Sequence, residues 1–120
     1  MQTLKERVGT LNNMIQQGQI MEAFEKFYKE DCVMSDNAGE KRIGKDANRE
    51  YEKQFINAVE SWNKAEILST IIDEEKQTAA TEWLFDFKLK DGPQVERTQI
   101  ALQHWDGDQI VEEKFYYGGN

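Results

Sequence analysis

The sequence predicts a single α+β domain, residues 1–120, with three helices packed on one face of a curved antiparallel sheet. In the first half, apolar residues recur every three to four positions, which is the period of an amphipathic helix. From residue 83 onward they recur at every second position, which is the period of a half-buried strand. With 120 residues, 38% of them hydrophobic, the chain is long enough for one core and too short for two.

Three helices follow from the apolar spacing. The stripe of the first consists of Leu4, Val8, Leu11 and Ile15, and that of the second of Ile20, Ala23, Phe24, Phe27 and Tyr28. Gly18 lies between them, where a left-handed C-cap is typical. A short strand is predicted at residues 32–34 and a turn at 35–44, after which Asp46 is expected to cap the third helix. The apolar face of the third helix is expected to consist of Ala47, Tyr51, Phe55, Ala58, Val59 and Trp62.

Four longer strands account for the second half. They are predicted at residues 64–73, 77–89, 95–105 and 110–117. The only proline of the chain lies in the turn at residues 90–93, where it prevents the ladder from continuing. Residues 106–108 read Asp-Gly-Asp, which is typical of a tight hairpin turn. These signals predict an antiparallel meander.

Charge and composition exclude several classes of function. The formal net charge is −8, so the molecule repels nucleic acid and anionic membrane surfaces. No apolar run is long enough to span a bilayer or to act as a signal peptide, which predicts a soluble, cytoplasmic protein. One cysteine, Cys32, and one histidine, His104, form neither an internal disulfide nor a usual zinc site. No cofactor or metal is therefore expected.

Three stretches carry a family resemblance. They are Phe27–Asp36, Ile43–Ala47 and Trp105–Tyr117. Their order resembles that of the NTF2-like superfamily, and the motifs are similar to those of its SnoaL-like and steroid-isomerase-like branches. The resemblance implies a cone in which three helices close a bent sheet around an apolar pocket, and it often goes with a homodimer.

The resemblance also points to a catalytic candidate. In members that isomerise steroids, an aspartate just after the second helix is the general base, and Asp36 occupies that place. Residues 36–39 equally suit an ordinary surface turn. The places of the two groups that polarise the substrate carbonyl hold Leu11 and Ala101, and each missing donor costs roughly 3 to 4 kcal/mol of transition-state stabilisation. The resemblance therefore disfavours steroid isomerisation by this scheme.

Aromatic residues supply the candidate lining of the pocket. Trp83, Phe85 and Phe87 share one face of a predicted strand. The complete apolar set is Phe24, Tyr28, Phe55, Trp83, Phe85, Phe87 and Phe115. Each of these residues can be plain core or pocket wall, and as a wall they select a small apolar or aromatic ligand.

The strand at residues 95–105 has two possible orientations. Alternation alone buries Ile100 and Leu102 against the helices. The resemblance instead turns Gln99, Ala101 and Gln103 toward the pocket, where the two amides could bind a ligand carbonyl. Ile100 and Leu102 then lie on the outer face of the sheet, and their burial needs a second copy of the chain. A homodimer and a polar pocket are thus linked expectations.

Three more residues have both a functional and a structural interpretation. Glu113 is in phase with Phe115 and Tyr117, so it points inward, and Arg97 is its expected ion-pair partner. Tyr117 either donates its hydroxyl into the pocket or anchors the last strand at the rim. His104 is an acid or base near neutral pH, or a residue that faces solvent or an interface.

Two functions remain open on this basis. The chain is a SnoaL-like pocket protein that binds a small apolar or aromatic molecule, or it is a cofactor-free isomerase, cyclase or dehydratase with Asp36 as general base. The two functions differ in the role of Asp36, which removes a proton from the substrate only in the enzyme.

Overall fold

The computed structural model describes residues 2–118 and confirms the α+β domain, with three helices packed on a curved, open sheet. The helices are α1 (Leu4–Gln16), α2 (Ile20–Phe27) and α3 (Lys45–Ala58). The strands are β1 (Tyr28–Asp36), β2 (Arg42–Ile43), β3 (Val59–Asp73), β4 (Thr78–Leu89), β5 (Gln94–Asp106) and β6 (Gln109–Tyr117). No helix in this part of the chain is both long and apolar enough to cross a membrane.

The sheet is mixed rather than wholly antiparallel. Its strand order is β2-β1-β6-β5-β4-β3, and β1 runs parallel to β6 while all other neighbours are antiparallel. The predicted short strand at residues 32–34 is in fact nine residues long. It begins directly where α2 ends and takes in Ser35 and Asp36, which were expected in a turn. The ladder with β6 supplies the hydrogen bonds that the local sequence pattern does not reveal.

The third helix differs from its prediction at both ends. It ends at Ala58, and Trp62 lies in β3, where cross-strand pairing with Phe87 of β4 prevails over the apolar helical period. At the other end, Gly44 is the N-cap, with a φ of 96° and no side-chain capping bond. Asp46 lies within the first turn and accepts a hydrogen bond of 2.6 Å from Arg49 instead of capping the helix.

The inner face of α3 is largely polar. It carries Lys45, Asn48, Glu52 and Phe55, at spacings of three, four and three residues. Lys45 and Asn48 are buried, whereas the expected apolar position Ala47 is exposed. Asn48 is fully buried and donates to the carbonyls of Arg42 (3.0 Å) and Gly44 (2.8 Å). Hydrogen bonds thus attach this helix to the β1–β2 region, while Phe55 packs against Phe87 of β4.

Two apolar clusters hold the layers together. The larger joins α1 and α2 to the sheet through Leu4, Val8, Leu11, Phe27 and Trp105, among others. The smaller is formed by Val59, Phe87 and Val95, with Phe55, Phe85 and Leu89 packed against it. Members of both clusters line one cavity. The core is therefore not filled throughout, and the concave side of the sheet keeps an open space.

Candidate functional site

The cavity has a volume of about 230 Å³ and lies between the helices and the concave face of the sheet. Every residue predicted for the site lines it: Phe24, Tyr28, Asp36, Phe55, Trp83, Phe85, Phe87, Gln99, Gln103, Glu113, Phe115 and Tyr117. Its wall also includes residues that were not predicted for the site, notably Tyr51, Glu52, Trp62 and Arg97. One part of the wall is aromatic, and another carries ionisable groups.

The face of β5 that borders the cavity is the one with Gln99, Ala101 and Gln103, as the resemblance implied. Ala101 and Gln103 are buried and, with Gln99, line the cavity. Ile100 lies on the opposite face and is 41% exposed. Simple alternation, which would bury Ile100, gives the wrong orientation here. The reason is that the concave face of this sheet borders a cavity with polar groups, not only a packed core.

Asp36 ends β1 and directs its carboxylate into the cavity wall. The carboxylate accepts hydrogen bonds from Arg42 (3.1 Å), Tyr117 (2.8 Å) and Tyr51 (3.2 Å). The chain turns immediately afterwards, since Asn37 and Ala38 both have positive φ angles. The backbone at this point is thus the turn that composition suggested, while the side chain belongs to the cavity. Tyr117 contributes its hydroxyl to this cluster.

Arg42 is held from three directions. Its Nε donates to Asn48 (3.2 Å), its guanidinium binds Asp36, and its guanidinium carbon lies 3.7 Å from the centre of the Tyr51 ring. Asn48 is itself fixed by backbone carbonyls. The positive charge beside Asp36 is therefore preorganised by the β1–β2 region and α3. Neither Arg42 nor Tyr51 was predicted as a site residue, because no local motif links them to Asp36.

A second acid, Glu113, is buried on β6. Its carboxyl accepts hydrogen bonds from the Tyr28 hydroxyl and from Gln103 Nε2 (2.7 Å). The expected ion pair with Arg97 is wrong, since Arg97 lies over the rings of Phe87 and Tyr117. Register explains the difference, because Gln103 is directly opposite Glu113, whereas Arg97 lies six residues earlier in β5. Burial raises the pKa of Glu113 to about 7, although the two hydrogen bonds partly oppose this shift.

The neighbouring groups decide where a proton on Glu113 would lie. The indole of Trp105 can only donate, and it donates to Gln103 Oε1 at 3.0 Å. Gln103 must therefore present its Nε2 to Oε2 of Glu113, so that oxygen accepts. A proton on the carboxyl consequently lies on Oε1, which faces Tyr28. Burial also raises the pKa of Tyr28, so its hydroxyl keeps its own proton.

A third acid, Glu52, was not predicted as a site residue. It lies on the inner face of α3 and lines the cavity. Burial raises its pKa to about 7, and the charges of Glu113 and Asp36 add to this effect. Within residues 2–118 no hydrogen bond or salt bridge reaches its carboxyl group. The polar stripe of α3 was the signal in the sequence that could have revealed it. No group of acids, His and Cys in this range could hold a metal ion.

The aromatic wall is a set of mutually packed rings. Trp83 stacks on Phe85 with ring centres 5.2 Å apart, and Phe55 meets Phe87 edge-on at 5.5 Å. Trp62, from β3, packs on Phe87 at 5.1 Å and remains 39% exposed. Such a wall favours a flat apolar partner.

The structure is an α+β domain with a cavity on the concave side of a curved sheet, and comparison with known sequences identifies its family. A family model described as a SnoaL-like domain matches residues 10–113, so the chain belongs to the SnoaL-like domain family. No functionally curated protein matches the sequence.

Solved structures show the same fold. A protein designated a SnoaL-like polyketide cyclase from Mesorhizobium loti has a TM-score of 0.85 and 21% identity, over 97% of this chain and all of its own. A protein designated a polyketide cyclase from Pseudomonas putida has a TM-score of 0.80 and 17% identity. The match covers 98% of this chain and 93% of the Pseudomonas protein. SalBIII, an epoxide hydrolase/cyclase-like enzyme in pyran ring formation in salinomycin, has a TM-score of 0.78 and 17% identity. The match covers 96% of this chain and 90% of SalBIII. Because these identities are 21% or lower, the similarity to these structures establishes the fold and nothing more.

Glu52→Gln tests whether a carboxyl group in this cavity is desolvated. Its folded-state pKa of about 7 lies above the ordinary 4.5, so the folded state holds more protons between these values. The contribution of Glu52 to stability is therefore complete at low pH and is lost as pH rises through 7. We expect the variant to be more stable than wild type at pH 8, by up to about 3 kcal/mol, and this gain to shrink toward pH 5.

Urea unfolding of both proteins at pH 5 and pH 8 measures the effect. Glu75→Gln is the matched control, because Glu75 is exposed in the β3–β4 turn and should give no pH-dependent gain. A Glu52→Gln variant whose gain is the same at both pH values, or absent, would show that Glu52 is well solvated.

Proposed function

We propose that this protein is a cytoplasmic pocket protein that binds a small, largely apolar or aromatic molecule in its cavity. The observation that carries this proposal is the division of one cavity into a wall of packed rings and a wall with Asp36, Glu52 and Glu113. Ligand sites usually measure roughly 300–1,000 Å³, so a cavity of about 230 Å³ favours a small ligand.

Blocking the cavity should abolish binding. Ala101 is buried in the cavity wall, and Ala101→Phe adds a ring to that space. Leu102→Phe is the matched control, since the next residue along β5 points to the outer face. With 2-naphthamide as the probe in calorimetry, we expect wild type and Leu102→Phe to bind, and Ala101→Phe to lose at least about tenfold in affinity. Equal binding by all three would place the ligand elsewhere and overturn the proposal.

A second candidate function is cofactor-free proton transfer on the bound molecule. A specific observation favours it: the Asp36 carboxylate shares the cavity with two carboxyl groups, Glu52 and Glu113, whose pKa values lie near 7. Asp36 would act as the base, and the protonated acids as donors. This pairing of groups suits isomerisation, cyclisation or dehydration. SalBIII, which shares the fold, acts in a ring-forming step.

Tyr28 and Glu113 would provide the donor for such chemistry. When Glu113 is protonated, its Oε1 hydroxyl donates to the oxygen of Tyr28, and the Tyr28 hydroxyl is free to donate into the cavity. The positions of the two family donors hold Leu11 and Ala101, but this pair supplies a neutral donor from α2/β1 and β6. Carbonyl polarisation is therefore available at a different place from the one the resemblance implied.

Asp36→Asn tests the catalytic candidate without removing bulk. The probe is 5-nitrobenzisoxazole, a flat aromatic molecule that opens when a base removes its C–H proton. We expect wild type to accelerate this opening above buffer, and Asp36→Asn to lose about 10²-fold of that acceleration. Asp31→Asn, an exposed aspartate on the same strand, should match wild type. An Asp36→Asn variant as fast as wild type would exclude Asp36 as the base.

We also propose that two copies of the chain pair through the outer face of the sheet. Cross-strand register aligns Ile100 with Tyr116 on this face, and both are exposed, by 41% and 39%. Ile71 of β3 is 69% exposed. The helices pack on the other side of the sheet, so burial of this apolar area requires a second molecule.

Ile100→Glu tests the dimer. A carboxylate at the centre of the paired faces would be buried without a partner, so we expect the variant to sediment as a monomer where wild type sediments as a dimer. Ile43→Glu is the control, because Ile43 is exposed on β2 at the edge of the sheet and should not alter the sedimentation. A dimeric Ile100→Glu variant, or a monomeric wild type, would refute this interface.

A further inference from the structure

Arg97 lies in the cavity wall and is held there by aromatic rings. Its guanidinium carbon is 4.3 Å from the centre of the Tyr117 ring and 5.3 Å from that of Phe87. Cation–π contacts of this kind use the faces of the rings and accept no conventional hydrogen bond from the N–H groups. These ring contacts thus fix the position of the charge without using its donors.

Arg97 differs in this respect from the other three arginines. Arg42 is paired with Asp36, Arg49 with Glu25 and Asp46, and Arg7 donates to the Gln2 carbonyl and to Gln77. Arg97, by contrast, has no salt bridge and no side-chain hydrogen bond to any residue from 2 to 118. The chain has 23 acidic and 15 basic side chains, so carboxylates are in excess. A partly buried guanidinium that lines a cavity and lacks such a partner is suited to an anion from outside the chain.

The geometry of a guanidinium selects the anion. Its planar fork matches the two oxygens of a carboxylate, and stacking of the plane on rings leaves the donor edges available. Cross-strand register pairs Arg97 with Phe85, and the next inward position on β5, Gln99, with Trp83. The stacked pair of Trp83 and Phe85 therefore adjoins the charge in the cavity wall, where it can contact the apolar body of a ligand.

The Asp36 carboxylate limits the ligand to one negative charge. It lies in the same cavity wall, accepts a hydrogen bond from Tyr117, and would repel a second carboxylate. A neutral hydroxyl, carbonyl or ether oxygen is compatible with that region.

We propose that Arg97 anchors the carboxylate of the molecule bound in the cavity, and that the ligand is a small aromatic or apolar monocarboxylic acid. The inference rests on the proposed binding function and specifies its ligand class. It assigns a role to a residue that the sequence had suggested only as a partner of Glu113.

Paired probes isolate the carboxylate. 2-Naphthoate and 2-naphthamide have the same rings and nearly the same size, but only the first is charged at pH 7.5. We expect wild type to bind 2-naphthoate at least tenfold more tightly in calorimetry. Arg97→Met should remove this preference while its affinity for 2-naphthamide stays within about threefold of wild type. Arg49→Met, which removes the same charge from a surface ion-pair cluster, should keep the preference.

The possible failures are distinguishable. If wild type binds both probes equally, or if Arg97→Met still prefers 2-naphthoate, the role of Arg97 is refuted while cavity binding stands. If wild type binds neither probe, the binding proposal is refuted as well. Retained binding of 2-naphthamide by Arg97→Met excludes misfolding as the cause of a lost preference.

Discussion

The parallel pairing of β1 with β6 is the constraint on which the polar half of the cavity depends. It aligns Met34 with Glu113 and Asp36 with Phe115. Tyr28, at the start of β1, thereby reaches Glu113, and Tyr117, at the end of β6, reaches Asp36. Without this ladder, Asp36 would be one more aspartate in a surface turn. Asp36 and Glu113 therefore lie in one cavity because of strand register, not because they are close in sequence.

The cavity stabilises charge differently at each acid. Arg42 and two tyrosine hydroxyls surround Asp36, whereas Glu113 receives only neutral donors and Glu52 receives none within the described residues. Desolvation therefore raises the pKa of Glu113 and Glu52 to about 7. Carboxyl groups with a pKa near 7 can donate or accept a proton at neutral pH, which suits them to proton transfer with a bound molecule.

The periodicity of apolar residues was sufficient to predict much of the fold and most of the residues of the cavity wall. The helical stripes of α1 and α2 and the alternation in β4 predicted their inner faces, because apolar side chains drive the packing there. The same signal failed in α3, whose inner residues Asn48 and Glu52 are polar. It also failed for β1, where Glu30 and Asp31 are exposed and conceal a strand. Pairing of side chains across the cavity, such as Glu113 with Tyr28 rather than Arg97, depends on a register that no local pattern encodes.

Desolvation of the acids in the cavity is tested most directly by titrating the glutamate side chains and following their carboxyl carbon shifts by NMR. We expect Glu113 and Glu52 to take up protons near pH 7. If both inner glutamates instead lost their protons between about pH 4 and 5, the cavity would be well hydrated, and the desolvated acid–base site derived from it would not exist.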